Sequence, residues 1–209
     1  MSSTIRAVFW DFGGVILSSP FDAFAEYERA NGLPEHFLRT VNTVDPDTNA
    51  WARIERQEIT PAEFDEAFAD ESERLGHRVP GADVLALLEG ELRPEMIDLL
   101  DRVIAAGYAT ACLTNNVVSE MRPDVRAVMD RFGFVLESSK AGVRKPEVEF
   151  YEMACAQAQV DPAEVVFLDD LGINLKPARA MGMTTIKVVD PRAALAELAD
   201  VTGLDFSDL

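Results

Sequence analysis

Ile5-Arg6-Ala7-Val8-Phe9-Trp10-Asp11-Phe12-Gly13-Gly14-Val15 is the stretch on which the fold turns. Its apolar run is too short for a buried helix and reads as a buried strand, stopped by the glycine pair. Asp11 then stands at the carboxyl end of a strand, where ligands bind in open α/β sheets. A carboxylate there, followed by glycines that let backbone approach a ligand closely, suits a nucleophile, a metal ligand or both. An ordinary Asp-Gly-rich turn would read the same way, so the rest of the chain has to decide.

Downstream, strands and helices alternate. Arg93-Pro94-Glu95 opens a helix that stops at Gly107. Tyr108 to Leu113 reads as a strand running into Thr114-Asn115, and Phe134 to Glu137 as another. Lys145 precedes Pro146 and so lies in a loop, because a residue before proline avoids the α region. Val165 to Leu168 is a strand ending in Asp169-Asp170, and a helix follows from Leu171 to Met181. Thr184 to Val189 is a fifth strand and Ala193 to Val201 a last helix. The alternation predicts an α/β fold: a parallel sheet of five or more strands, with helices on both faces. With right-handed crossovers, Asp11, Thr114-Asn115 and Asp169-Asp170 share one edge of that sheet, with Lys145 in a fourth loop beside it.

From about Phe21 to Leu92 the alternation gives way to helical signals with no convincing strand. Thr60-Pro61-Ala62-Glu63 is an N-cap, a proline at the first helical position and a capping-box glutamate. Phe64, Ala67 and Phe68 then supply an apolar face, and Gly81 to Leu88 another short helix.

Composition narrows the function. The formal charge of −18 opposes binding to nucleic acid, which needs clustered Lys and Arg. No stretch approaches the roughly 20 apolar residues of a membrane span. Met1-Ser2-Ser3-Thr4 has no basic region before an apolar one, and Cys112 and Cys155 sit in apolar contexts. The expectation is a cytoplasmic protein, a monomer or homodimer, without nucleic-acid or membrane partners. His36 and His77 are far from other candidate ligands, so zinc sites and histidine triads are poor candidates.

The convergent groups are three carboxylates, a hydroxyl, an amide and one ammonium. Clustered carboxylates repel unless a cation sits among them, and an oxygen-only set suits Mg²⁺ with substrate phosphate oxygens. Thr114, Asn115 and Lys145 offer the donors and charge that a phosphoryl group needs. Without a thiol or imidazole, the available chemistry is attack of Asp11 on phosphorus, then hydrolysis of the aspartyl-phosphate.

Asp11-Phe-Gly-Gly-Val15, Leu113-Thr-Asn115, Lys145-Pro146 and Phe167-Leu-Asp-Asp170 with Asn174 together resemble the haloacid dehalogenase-like (HAD) superfamily, in its order and spacing and over nearly the whole chain. Phe167 to Met183 is especially similar to the N-terminal phosphatase domain of soluble epoxide hydrolase. The resemblance implies a Rossmann-like core of residues 1–15 and 93–209 with a helical cap, 16–92, inserted after the first strand. It implies a Mg²⁺-dependent phosphatase acting on a small phosphorylated metabolite. Asp11 matches the nucleophile and a metal ligand, Gly13 the position whose carbonyl binds the metal, and Asp170 a further metal ligand. Thr114, Asn115 and Lys145 match the phosphate-binding and charge-steadying positions, Asp169 a catalytic orienting carboxylate, and Asn174 a further polar position.

One departure matters. Family phosphatases carry a second aspartate two residues after the nucleophile as general acid, and here that position is Gly13. A low-activity or regulatory protein is therefore an alternative reading. A metal-free haloacid dehalogenase is opposed by the Asp169-Asp170 pair, which would repel an anionic substrate. A phosphonatase would need a cap lysine, and residues 16–92 contain none.

Overall fold

The computed structural model describes residues 4–118, 120–207 and 209. Five strands, β1 (Ala7–Trp10), β2 (Ala109–Thr114), β3 (Phe134–Glu137), β4 (Val165–Asp169) and β5 (Thr184–Lys187), form one parallel sheet in the order β3-β2-β1-β4-β5. β1 is the central strand and is buried along its whole length.

Side chains alternate across the sheet, so each strand feeds two cores. Val8, Trp10, Cys112, Val166 and Leu168 pack on one face with α6 (Pro94–Ala105), α7 (Pro123–Met129) and α11 (Pro191–Thr202). Ala7, Phe9, Ala111, Leu113, Val165 and Phe167 pack on the other with α9 (Val148–Ala158) and α10 (Gly172–Ala180). Apolar runs without alternation were the sign of strands covered on both sides, and the sheet is covered on both sides.

Between β1 and α6 lie α1 (Phe21–Ala30), α2 (Phe37–Thr43), α3 (Ala50–Glu55), α4 (Pro61–Arg74) and α5 (Gly81–Ala86). They have an apolar cluster of their own, built on Phe24, Phe37, Leu38, Ile54, Phe64, Phe68 and Val84. α4 starts with the expected capping box: Thr60 accepts from the Glu63 N–H and Glu63 from the Thr60 N–H. The chain leaves the sheet and returns along paired segments, with an isolated antiparallel bridge between Leu17 and Leu92. Ser18 N donates to Glu91 O at 2.7 Å and Arg93 N to Ile16 O at 2.9 Å, so both crossings are held side by side.

Element limits shift slightly from the sequence expectation. β4 runs one residue further, to Asp169, while β5 stops at Lys187, leaving Val189 75% exposed. α7 and the one-turn α8 (Ser138–Ala141) were not anticipated, being too short to show a helical period. Among the described residues no helix is long and apolar enough to cross a membrane.

Candidate active site

Register brings the polar groups together. Trp10 pairs with Cys112 of β2 and Leu168 of β4, so the strand ends carrying Asp11, Thr114 and Asp169 are neighbours. Asp11 continues the line of β1 for one more bond, donating its N–H to Leu168 O at 2.8 Å. Carboxylate oxygens of Asp11, Asp169 and Asp170 lie within 4.8 Å of one another. Lys145, 1% exposed, reaches in from the loop before α9. Its Nζ is 2.8 Å from Asp11 Oδ1 and 2.9 Å from Asp169 Oδ2.

The three carboxylates are not equivalent. Asp169, fully buried, is saturated with donors: Leu171 N–H at 2.8 Å, Lys145, and Asn174 Nδ2 at 3.1 Å from both of its oxygens. Asn174 is fixed in turn, its carbonyl accepting from Tyr151 Oη at 2.7 Å. Asp11 takes both the Phe12 N–H, at 2.6 Å, and the Lys145 ammonium on Oδ1, so Oδ2 carries neither.

The site has one ammonium against three carboxylates, and the proton equilibria show the imbalance. Burial pushes the Asp11 carboxyl well above its usual range; the Asp169 charge adds to this and Lys145 opposes it. Asp170 is pushed up to about 6, by burial first and then by Asp169. Burial works against the charged form of Lys145, but Asp11 and Asp169 outweigh it and hold its pKa above the usual lysine range. An excess of buried negative charge with all-oxygen donors fits a small divalent cation and gives thiolate-preferring metals nothing to bind.

The glycine pair divides its work. Gly14 has φ +76°, and a Cβ there would lie 2.3 Å from Asp170 Oδ2. It is the residue that lets Asp170 close on the turn, and its carbonyl accepts from Arg93 Nη1 at 2.8 Å. Gly13 is exposed, outside the left-handed region, and has no atom within 4 Å of an added Cβ.

Thr114 is buried at the end of β2, the strand next to β1. Asn115 is close, but its side chain is spent on protein. Oδ1 accepts from the Lys145 N–H at 2.9 Å, while Nδ2 donates to Lys145 O at 2.9 Å and to Glu55 Oε2 at 3.2 Å. Glu55 was not anticipated, and neither was its partner Arg144, whose Nε is 2.5 Å from Glu55 Oε2. Glu55 belongs to α3, more than 50 residues from Asn115 in sequence, so no spacing links them. The one available signal was a charged residue beside Ala52 and Ile54 on the apolar side of a short helix.

Several known proteins are similar to this chain in sequence or fold. Mouse bifunctional epoxide hydrolase 2 is 32% identical over 221 residues, covering 98% of this chain and 40% of the relative. Mouse acyl-CoA dehydrogenase family member 10 is 33% identical over 204 residues, covering 95% of this chain and 19% of the relative. The chain thus spans less than half the length of either. Sesquiterpene phosphatase astK of Aspergillus oryzae is 27% identical, covering 97% of this chain and all of the relative. The fold matches a HAD family enzyme of Bacteroides thetaiotaomicron solved with magnesium and inorganic phosphate, with TM-score 0.59, 22% identity and 98% of each chain covered. The sequence model of the haloacid dehalogenase-like hydrolases matches residues 5–182, and this chain belongs to that family.

Proposed function

We propose that this hydrolase is a Mg²⁺-dependent phosphatase of a small phosphorylated metabolite, working through an aspartyl-phosphate on Asp11. The observation that carries the reading is the set Asp11, Asp169 and Asp170 within 4.8 Å, with Lys145 bonded to two of them. The name of the fungal relative, a phosphatase that this chain matches end to end, supports it. So does the magnesium and phosphate in the Bacteroides enzyme.

In this reading Asp11, Asp170 and the Gly13 carbonyl would hold Mg²⁺. When bound, the cation offsets the charge of the carboxylates and of the phosphoryl group. Asp11 attacks phosphorus and the leaving group departs; water then cleaves the acyl-phosphate and regenerates the carboxylate. Lys145 steadies Asp11 and the phosphoryl oxygens, and Asp169, saturated by Asn174 and Leu171, keeps the ammonium in place. Thr114 supplies a hydroxyl, and Asn115 its backbone N–H, because its side-chain amide is already engaged. Residues 16–92, with their own apolar cluster and paired crossings, act as a cap over a core of 1–15 and 93–209.

The test is a panel of small phosphomonoesters assayed with Mg²⁺ and with excess chelator. Hydrolysis in Mg²⁺ that vanishes on chelation is expected. Full activity without metal would overturn the reading.

A second expected result concerns the missing acid. Glu55 is a buried carboxylate offered by the cap, but it is bonded to Arg144 and Asn115 and is no free proton donor. The leaving alkoxide therefore departs largely unprotonated, and the rate should fall steeply as leaving-group pKa rises. Gly13→Asp has open space and ordinary backbone, so it should fold. It should speed an alkyl phosphate by about 10²-fold, the low end of general acid catalysis, and an activated aryl phosphate far less. A flat leaving-group dependence, with chemistry shown to be rate-limiting, would refute the claim.

A further inference from the structure

The Lys145 ammonium is placed by its backbone as well as by its carboxylate partners. Asn115 grips both sides of the residue, accepting from its N–H and donating to its carbonyl, each at 2.9 Å. The same amide nitrogen donates to Glu55 Oε2 at 3.2 Å, and that oxygen also accepts from Arg144 Nε at 2.5 Å. Arg144 is the residue before Lys145. One carboxylate oxygen thus binds both the side chain that grips Lys145 and the side chain of the residue before it.

That carboxylate comes from the cap. Glu55 is the last residue of α3 and 6% exposed, and its carbonyl accepts from Ser138 Oγ at 2.6 Å. Two further polar bonds lie nearby: Arg144 Nη1 to Pro46 O at 3.3 Å and Arg56 Nη1 to Glu147 Oε1 at 3.2 Å. The apolar cluster of α1 to α5 is distinct from the two clusters of the sheet, and Val117, which lies after β2, packs against it. The polar contacts around Glu55 join α3 directly to the Lys145 loop.

We propose that Glu55 is a positioning residue: by holding Asn115 and Arg144, it makes the pose of the Lys145 ammonium depend on α3 being seated on the core. The kinetic consequence rests on the phosphatase reading. The structural one does not.

Two variants and three readouts test it. Glu55→Gln keeps the shape and an acceptor. The double variant Glu55→Leu with Arg144→Met replaces the buried ion pair by apolar side chains, a change that folds often tolerate. Backbone exchange of the Lys145 amide, followed by NMR in metal-free protein, reads the grip of Asn115 directly. In the double variant this amide should exchange faster while the amides of β1 keep their protection. Its kcat should fall about 30-fold or more, since a displaced group at the site costs up to about 10²-fold. Mg²⁺ affinity, measured by calorimetry without substrate, should be unchanged, and Glu55→Gln should lie between the double variant and wild type. Wild-type exchange at Lys145 together with wild-type kcat in the double variant would overturn the proposal. Loss of protection throughout β1 in both variants would also overturn it, by assigning Glu55 to the fold. If wild type hydrolyses no phosphate ester, the phosphatase reading fails by itself, and the exchange measurement still decides the role of Glu55.

Discussion

Asp11→Asn is expected to abolish phosphate ester hydrolysis, by on the order of 10⁴-fold or more, as loss of a nucleophile does elsewhere. The substitution is nearly isosteric. The amide oxygen can still accept from the Phe12 N–H, now bonded at 2.6 Å, and from Lys145. What disappears is the anionic oxygen proposed to attack phosphorus, with one of three charges at the proposed metal site. The fold should not suffer. Asp11 titrates well above its usual range because burial and the Asp169 charge disfavour its anion, with Lys145 opposing. A carboxyl raised in this way destabilises the folded protein increasingly as pH climbs through its folded pKa, so a neutral amide relieves that cost near neutrality. The thermal midpoint without metal should therefore be equal to or above that of wild type. Added Mg²⁺ should raise the wild-type midpoint more than the variant's, through binding to the folded state alone. Residual hydrolysis at the wild-type rate would eliminate Asp11 as the nucleophile.

Removing Lys145 should have the next largest effect, and on two quantities at once. Its ammonium is 1% exposed and bonds Asp11 and Asp169 within 3 Å, so deletion leaves two buried carboxylates without their cation. Breaking a buried pair from one side costs about 3–5 kcal/mol. Lys145→Ala adds a cavity to that cost, so Lys145→Met, which retains most of the stem, is the better variant. Its kcat should drop by about 10²–10³-fold, the scale for one lost donor at a developing charge. Lys187→Ala, at an exposed position ending the edge strand β5, should change kcat little. Steady-state kinetics with urea denaturation separates the two effects. Equal losses in the two variants would remove the special role of Lys145.

These expectations rest on information that entered the chain at different levels. Strand identity was legible because apolar runs such as Ala7–Trp10 and Val165–Leu168 leave a strand covered on both faces as the economical solution. Polar residues that end such runs lie on one edge by topology alone, so Asp11, Thr114 and Asp169-Asp170 were placed without coordinates. Pro146 put Lys145 in a loop for a local steric reason, and the structure keeps it there, ahead of α9. The capping box of α4 was equally local.

Other features depended on tertiary structure. The resemblance assigned Asp169 an orienting role and Asp170 a metal; the bonds behind that division are tertiary, since Asn174 and Leu171 saturate the first while the second closes on Gly14. Asn115 was read by its motif as a phosphate group's partner, yet its side chain grips Lys145, a contact across 30 residues. α7 and α8 escaped notice because one or two turns are too short to establish a period. Glu55 is the clearest case. Its neighbours in sequence describe a short amphipathic helix, and a carboxylate on its buried side would ordinarily count against burial. The Arg144 guanidinium that makes burial tolerable lies 89 residues away. Local chemistry is written in consecutive residues, because strand, cap and loop preferences act over a few bonds; which buried charges neutralise one another is decided when the chain closes on itself.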